Sequence, residues 1–275
     1  YIIMKLNRTK VRNDRTIWLF IIAVIVVAGT LVFGLMVLIP RWFPIRYNAD
    51  DLAAVDSAGI ISSVTHIKTP TPVKALYMTA CVAGSRELRS KLADIADKTE
   101  INSLVIDIKD YSGTVSIPSE DEAIQTDPKK GCHYSDAKDF IASLHDKGIY
   151  VIGRITVFQD PYYSKFHPEL AVKRASDGAV WKDHKGLSFI DVSAKPYWDY
   201  IVKIGQQAIA LGFDELNFDY IRFPSDGDMK DISYPWSGKM EKKEALRLFF
   251  GYLNKEFRDT GVILSADLFG MTTTN

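Results

Sequence analysis

The alternation of short apolar runs with longer helix-like segments constrains the fold of this chain more than any other feature. It begins near Val73, and it is typical of βαβ units that build a parallel sheet. The candidate strands are Val73–Ala80, Ser103–Lys109, Ile149–Phe158, Phe213–Tyr220 and Val262–Leu268. The candidate helices are Ser85–Lys98, Ser135–Lys147, Lys195–Leu211 and Glu241–Arg258. Ser85 and Ser135 are expected to cap helix N-termini, and Gly148 and Gly212 to end helices.

This pattern predicts an α/β protein of the (β/α)8 TIM-barrel type. A complete barrel takes about 250 residues, whereas residues 73–275 supply only five candidate strands. The barrel is therefore expected to be truncated after about five β/α units. The main alternative is an open doubly wound sheet, which would carry a glycine-rich phosphate turn after the first strand. Cys81–Gly84 stands there instead, so the barrel is favoured.

A second constraint is the uncharged apolar run Ile17–Ile39. It is long enough to cross a hydrocarbon core of about 30 Å, and it predicts one transmembrane helix that precedes the barrel. A cleaved signal peptide is the alternative, but such peptides have shorter apolar cores followed by a small-residue cleavage site. Pro40–Pro44 follows here, which favours a retained signal-anchor.

Basic residues set the expected orientation of this span. Five lie upstream of it, against a single acidic Asp14: Lys5, Arg8, Lys10, Arg12 and Arg15. The positive-inside rule then keeps the N-terminus in the cytoplasm. The expected domains are a cytoplasmic basic tail (1–16), the transmembrane helix (17–39), an extracellular linker (40–72) and the barrel (73–275). The predicted location is the cell membrane, with a single pass and the barrel outside.

Composition narrows the possible partners. Lys and Arg number 34, as do Asp and Glu, so no excess of basic charge points to nucleic acid. The five histidines are scattered without zinc-site spacing, and neither a metal nor a cofactor is expected. The two cysteines, Cys81 and Cys132, are interpreted as ordinary thiols, with one disulfide as the alternative.

The strands also differ between their two faces. Side chains alternate along a strand, and in four candidates one face is apolar while the other ends in polar groups. The polar set is Asp107, Lys109, Arg154, Asn217, Asp219 and Asp267. These residues are expected to converge at the C-terminal face of the barrel, where enzymes of this architecture hold their catalytic groups. An internal salt-bridge network among them is the alternative.

Four collinear segments carry a resemblance to a known family: Thr99–Gly113, Gly148–Pro161, Gly212–Gly227 and Leu264–Gly270. They resemble a glycoside-hydrolase-like barrel domain of bacterial membrane-anchored surface proteins, catalogued as a domain of unknown function. The run from Asp219 to Pro224 is its most specific part. The resemblance implies a TIM-barrel relative of glycosidases with catalytic carboxylates at strand ends.

The fourth strand differs from that of chitinase-type barrels, which carry Asp-x-x-Asp-x-Asp-x-Glu there. Asp214 and Asp219 match this motif, but Asn217 replaces its middle Asp and Ile221 stands where the catalytic Glu belongs. Substrate-assisted chemistry is therefore disfavoured. Amylase-type and α-galactosidase-type barrels place an Asp nucleophile at the end of this strand, and Asp219 matches that position.

The catalytic residues are predicted to be Asp219, as nucleophile or base, and Asp267, as acid. Adjacent strands lie about 4.8 Å apart, so the two carboxyl groups can reach the separation that retaining or inverting glycosidases require. An acid from a later strand is the alternative. Lys109 and Arg154 are expected to pair with Asp219 or bind sugar hydroxyls, with Asp107 balancing their charge.

Further residues are predicted to bind substrate. Aromatic side chains near strand ends stack on sugar rings, and the candidates are Tyr77, Trp181 and Trp236. Asn217 belongs to the polar set, and Arg222 either lines the cleft or pairs with Asp226.

The predicted function is hydrolysis of O-glycosyl bonds in a cell-surface or extracellular polysaccharide. The alternatives are a non-catalytic glycan-binding surface module on the same scaffold, and a structural or sensor ectodomain. The close pair of carboxylates at the strand ends favours the enzyme.

Overall fold

The structure, a computed structural model, describes residues 64–124 and 126–268, together with Trp18, Leu19 and Ala23. The chain divides into two compact units, Tyr1–Ser62 and Ser63–Asn275, and the strands that the structure describes lie in the second. The predicted membrane helix 17–39 lies outside the described residues, apart from those three positions. Among the residues that are described, no helix combines the length and apolar character needed to cross a bilayer.

Five parallel strands form a single sheet in the order β1-β2-β3-β4-β5. They are β1 (Ala75–Met78), β2 (Ser103–Lys109), β3 (Tyr150–Thr156), β4 (Glu215–Asp219) and β5 (Ile263–Ala266). Each strand pairs with its neighbour in sequence. A doubly wound sheet reverses its strand order partway, whereas a barrel does not. The sequential order therefore confirms the predicted α/β class and matches a TIM-barrel pattern over five units.

Helices connect the strands. They are α1 (Ala80–Gly84), α2 (Arg86–Lys98), α3 (Ala137–His145), α4 (Tyr163–Phe166), α5 (Lys195–Leu211) and α6 (Lys242–Phe257). Short 3-10 turns occupy Glu122–Ile124 and Pro168–Leu170. The four predicted helices are confirmed as α2, α3, α5 and α6, while α1 and α4 are additional.

The helix ends follow the predicted signals at three of four positions. Gly148 ends the turn that follows α3, in the left-handed region with φ of 71°. The Ser85 side chain accepts a hydrogen bond from the Leu88 backbone N–H at 3.4 Å and so caps α2. Gly212 ends α5 in the left-handed region, with φ of 109°, which glycine adopts without steric cost. The prediction that Ser135 caps α3 is wrong. Asp136 holds that position, and its carboxylate binds Arg89 at 2.7 and 2.6 Å instead of capping the helix.

The apolar face of the sheet packs against the helices. Leu104, Ile106 and Ile108 of β2 are fully buried. In β4, Leu216 is fully buried and Phe218 is 1% exposed. Burial of such side chains contributes about 1.5–3 kcal/mol each. The predicted apolar faces of β2 and β4 are therefore confirmed.

A loop region after β3 forms a small antiparallel layer that the sequence did not reveal. Isolated bridges join Ala171 to Ile190, and Lys173 to both Val180 and Ser233. This layer has its own buried cluster of side chains, Val172, Trp181 and Phe189. The region from β3 to α5 is therefore an ordered insertion above the sheet's C-terminal end.

The two cysteines form a disulfide, so their interpretation as ordinary thiols is wrong. Cys81 and Cys132 are 51 residues apart in sequence, and their Cα atoms are 4.8 Å apart. Helix α1 lies close against the loop that carries Cys132. A Cβ atom added to Gly84, the last residue of α1, would be only 2.8 Å from the His133 carbonyl oxygen. The bridge therefore fastens the segment after β2 to the helix after β1.

The end of the predicted linker contacts the domain. The Asp214 carboxylate, which is fully buried, accepts hydrogen bonds from the backbone N–H groups of Ile67 and Val151, both at 2.8 Å. It also lies 2.9 Å from His145 Nε2. Asp214, which matches the chitinase motif in sequence, thus holds the residues before β1 at the N-terminal end of the sheet.

Candidate active site

Polar side chains at the C-terminal ends of β2, β3 and β4 meet in one cluster. The parallel register places Asp107 opposite Arg154, and Arg154 opposite Asn217. Side chains of paired residues in a parallel sheet point to the same face. Asp219 lies two residues after Asn217 and faces the same side of β4, which brings together three of the predicted site residues, Asp107, Arg154 and Asp219.

Arg154 lies at the centre of this group. Its Nη1 donates to Asp107 Oδ1 at 2.8 Å, and its Nε donates to Asp219 Oδ2 at 3.1 Å, with Nη2 bonded to the same oxygen. The side chain of Asp107 is 4% exposed, that of Arg154 17% and that of Asp219 21%. The cluster is therefore mostly desolvated, and Asp219 is its most accessible carboxylate.

Tyr77 of β1 completes this group, which is named the carboxylate cluster (Tyr77, Asp107, Arg154 and Asp219). Its hydroxyl donates to Asp107 Oδ2 at 2.6 Å, and the Arg154 guanidinium lies 5.6 Å from its ring centroid. The residue is 51% exposed. The position of Tyr77 is compatible with its predicted contact to substrate, because half of its surface faces solvent.

Burial shifts the titration of the groups around Arg154. It raises the pKa of the Asp107 carboxyl, although hydrogen bonds from Tyr77 and Arg154 oppose the shift. Burial, together with the hydrogen bond to Asp107, also raises the pKa of the Tyr77 phenol. Desolvation lowers the pKa of Arg154, but its bonds to Asp107 and Asp219 outweigh that effect and the net pKa is raised. The arginine therefore stays charged between its two carboxylates.

The chain turns sharply at the residue after Asp219. Tyr220 has φ of 52°, a left-handed conformation that costs a residue other than glycine about 1–3 kcal/mol. Its backbone N–H donates to Asp219 Oδ1 at 2.6 Å. Both oxygens of the Asp219 carboxylate are thus held, one by Tyr220 and the other by Arg154.

Asp267, the predicted acid, follows β5, the strand next to Asp219. Its Oδ1 accepts a hydrogen bond from Asn217 Nδ2 at 3.3 Å, and Asn217 also donates to Ser265 Oγ at 3.1 Å. Asp267 is exposed. Asn217 therefore connects β4 to the Asp267 carboxylate.

Glu215 is a further polar residue of β4 that the sequence analysis did not select. Its side chain lies on the same face of the strand as those of Asn217 and Asp219. It is 8% exposed and accepts hydrogen bonds from the Tyr150 hydroxyl at 3.0 Å and the Ser265 hydroxyl at 2.5 Å. The alternation of β4 contained this signal, because Glu215, Asn217 and Asp219 are two residues apart.

Lys109 is not part of the carboxylate cluster, and its predicted pairing with Asp219 is wrong. The β2–β3 register shifts between Asp107 and Lys109, which redirects the lysine. Its ammonium pairs with Asp160 at 2.9 Å, both side chains being fully buried, and donates to the Thr156 carbonyl at 2.7 Å. Asp160 was missed because it lies in a loop after β3.

The structure also corrects the role of Trp181. The residue is 1% exposed, and its Nε1 donates to the Asp228 carbonyl at 2.9 Å. A ring enclosed on both faces cannot stack on a sugar, so Trp181 is a packing residue. Trp236 is 43% exposed, and its Nε1 donates to the Glu169 carbonyl at 2.8 Å; its contact with substrate stays a prediction.

A cleft of about 440 Å³ is lined by Tyr220, the residue that follows Asp219. Its volume lies in the range of small-molecule binding sites. Arg222, one of the predicted substrate-binding residues, lines this cleft. Other lining residues are Tyr111, Gln159, Asp183, Lys185 and Asp226.

In the part of the chain that the structure describes, no group of three or more His, Cys, Asp or Glu side chains is placed to hold a metal ion. The chemistry of the described cluster is that of carboxylates, a guanidinium and a phenol.

The sequence matches one family model over residues 75–275, a family described as "Putative glycosyl hydrolase domain". No curated protein matches the chain. A crystal structure of a hypothetical protein from Ruminiclostridium thermocellum is 40% identical, with a TM-score of 0.62 over 71% of this chain and 98% of that one.

More distant structures share the fold alone. A chitobiase from Flavobacterium johnsoniae is 13% identical, with a TM-score of 0.51, and the match covers 70% of this chain and 31% of that one. A noncanonic maltogenic α-amylase from Thermotoga neapolitana is also 13% identical, with a TM-score of 0.50, over 75% of this chain and 48% of that one. The chain thus spans less than half the length of either enzyme.

Proposed function

This chain belongs to the glycosyl hydrolase domain family whose model it matches over residues 75–275, and from that premise we propose that it hydrolyses a cell-surface or extracellular polysaccharide. The observation that carries the proposal is the carboxylate cluster. Asp219 lies at the C-terminal end of a parallel strand, partly exposed and bonded to a mostly buried arginine. Enzymes with β/α barrels place their catalytic groups at this face.

In the proposed mechanism Asp219 acts as nucleophile or general base. Arg154 compensates its charge and fixes one carboxylate oxygen, while the Tyr220 N–H fixes the other. Positioning of this kind holds the reacting oxygen in one place. In a retaining enzyme this oxygen attacks the anomeric carbon and forms a glycosyl-enzyme bond, whereas in an inverting enzyme it accepts a proton from the water molecule that attacks that carbon.

Asp267 is the proposed general acid. It is exposed and follows the adjacent strand, and its contact with Asn217 orients it toward the β4 side. A protonated carboxyl group there would donate to the oxygen of the leaving group.

The acid role predicts a dependence on the leaving group. Asp267→Asn is expected to lower hydrolysis of natural glycans by about 10²- to 10⁴-fold. Glycosides with activated phenol leaving groups should recover much of their rate, because these depart without protonation. Comparing kcat/KM on both substrate types checks the role, and an equal loss on both would refute it.

The test of the function itself is the release of new reducing ends. The full chain is incubated with cell-wall and extracellular polysaccharides, and reducing ends are compared with those from the Asp219→Asn variant. Hydrolysis by the parent alone supports the proposal.

A non-catalytic glycan-binding module is the second candidate. The observation in its favour is that both oxygens of Asp219 already accept hydrogen bonds. Glycan binding without any new reducing ends would favour this module over the enzyme.

We also propose that residues 17–39 anchor the protein in the cell membrane with the catalytic domain outside. The Cys81–Cys132 disulfide supports this location, because disulfides persist in oxidising compartments. Protease added to intact cells is expected to remove the domain while the membrane stays sealed. Protection of the domain until the cells are lysed would contradict the orientation.

A further inference from the structure

The cleft beside Asp219 is connected to the reacting carboxylate by a single residue. Tyr220 lines this cleft, and its backbone N–H donates to Asp219 Oδ1 at 2.6 Å. Its ring faces the Arg222 guanidinium, which lies 5.2 Å from the ring centroid. A ligand in the cleft would therefore contact the residue whose backbone holds the Asp219 carboxylate.

Tyr111 presents an aromatic ring on the cleft from a tight turn. The residue is 58% exposed. Asp110 Oδ1 accepts from the Ser112 backbone N–H at 2.8 Å, and the Asp110 carbonyl accepts from the Gly113 N–H at 3.0 Å. Gly113 has φ of 85°, and a Cβ there would lie 2.0 Å from Asp160 Oδ1. The backbone of the turn is thus held in one conformation, so only the Tyr111 side chain has to be ordered when a sugar stacks on it.

Gln159 contributes a planar polar group to the cleft. It is 4% exposed, and its Nε2 donates to the Tyr111 carbonyl at 3.4 Å. The bond is long, but it connects the amide to the same turn. Planar amide groups next to aromatic rings can bond hydroxyls while the ring stacks on the C–H face of a sugar.

The charges that line the cleft balance. Arg222 and Lys185 supply two cations, and Asp183 and Asp226 supply two carboxylates. Asp183 Oδ1 accepts from the backbone N–H groups of Lys185 and Leu187 at 2.9 and 2.8 Å, which fixes this carboxylate in place. An acidic sugar would meet these carboxylates as readily as the cations, whereas a neutral polyhydroxylated sugar can bond to both.

We infer that this cleft, named the tyrosine cleft and lined by Tyr111, Gln159, Asp183, Lys185, Tyr220, Arg222 and Asp226, is a subsite for an uncharged sugar unit of the glycan. The inference deepens the proposed function and rests on it for the position of the scissile bond. It assigns a substrate class, neutral glycans rather than uronate-containing ones.

The experiment measures binding without turnover. The full chain carrying Asp219→Asn is applied to an array of neutral and uronate-containing oligosaccharides, and the Kd of the best ligand is then determined by calorimetry. A neutral oligosaccharide is expected to bind best. Adding Tyr111→Ala should raise the Kd about tenfold, because one stacking contact is lost and a tenfold change corresponds to about 1.4 kcal/mol of binding free energy.

Phe166→Ala is the matched control, since Phe166 has the same 58% exposure and does not line the cleft. It should leave the Kd unchanged.

A charge variant adds a second readout. The Asp226 side chain is 60% exposed and its carboxylate lies 3.6 Å from His184 Nε2, so Asp226→Lys should fold and shift preference toward uronate-containing oligosaccharides.

The outcomes separate the subsite from the enzyme. If the parent cleaves glycans but Tyr111→Ala binds like Phe166→Ala, the subsite is refuted and the enzyme stands. If Tyr111→Ala weakens binding but the parent cleaves nothing, the enzyme is refuted and the subsite stands. Preference of the Asp219→Asn chain for uronate-containing glycans, or no binding to the array at all, overturns the inference.

Discussion

Replacing Asp219 with asparagine is expected to lower glycan hydrolysis by the full chain about 10⁴-fold or more, the usual consequence of removing a nucleophile or base that acts with its neighbours as a unit. The amide keeps the shape of the side chain, but it cannot form a glycosyl bond or accept a proton. Initial rates of reducing-end release measure the loss.

The variant also has a predictable effect on stability. The two carboxylate oxygens of Asp219 accept from different donors, Tyr220 N–H and the Arg154 guanidinium. An asparagine amide must turn its NH2 toward one of them, and an unsatisfied donor costs about 1–3 kcal/mol. The chain should still fold, which circular dichroism and a melting curve will show.

Asp146→Asn is the matched control for this change. It makes the same carboxylate-to-amide change at an exposed residue after α3, outside the carboxylate cluster. Its hydrolysis rate should equal that of the parent. Near-normal turnover by folded Asp219→Asn would remove Asp219 from the mechanism.

Loss of the disulfide is expected to have the largest effect on stability. Replacing both Cys81 and Cys132 with serine opens a loop of 51 residues, and the free energy of unfolding should fall by about 2–4 kcal/mol. The bridge restricts the unfolded chain and fastens α1 to the loop after β2. Denaturant unfolding of the full chain, followed by tryptophan fluorescence, measures the change.

A reducing agent provides the internal comparison for this prediction. It should lower the unfolding midpoint of the parent to that of the double serine variant and leave the variant itself unaffected. Equal midpoints for the oxidised parent and the variant would mean that the bridge contributes nothing to stability.

Local alternation made the fold and the central part of the site predictable from sequence. In β4 the apolar Leu216 and Phe218 alternate with Asn217 and Asp219, and this pattern alone fixed which side chains face the helices. The sequential β/α pattern likewise indicated a parallel sheet, and the absence of a glycine-rich turn after the first strand favoured the barrel over a doubly wound sheet. Both signals depend on neighbours in sequence, which is why they could be read without tertiary contacts.

The parts that failed depend on contacts between distant segments. Cys81 and Cys132 come together because α1, which precedes β2 in sequence, packs against a loop that follows β2. Lys109 turns away from Asp219 because of a register irregularity with β3, and such irregularities have no clear sequence signature. Trp181 lost its predicted role because the insertion after β3 folds over its ring.

The two-residue alternation of β4 has a consequence for how this family can change over time. Glu215, Asn217 and Asp219 face one side of the strand, while Leu216 and Phe218 are buried on the other. Inserting or deleting one residue inside the strand would invert the residues on one side of the change, turning polar groups toward the helices and apolar side chains toward the polar face. Length variation among descendants of this chain should therefore accumulate in surface loops such as residues 225–233, while β4 admits substitutions but no change in length.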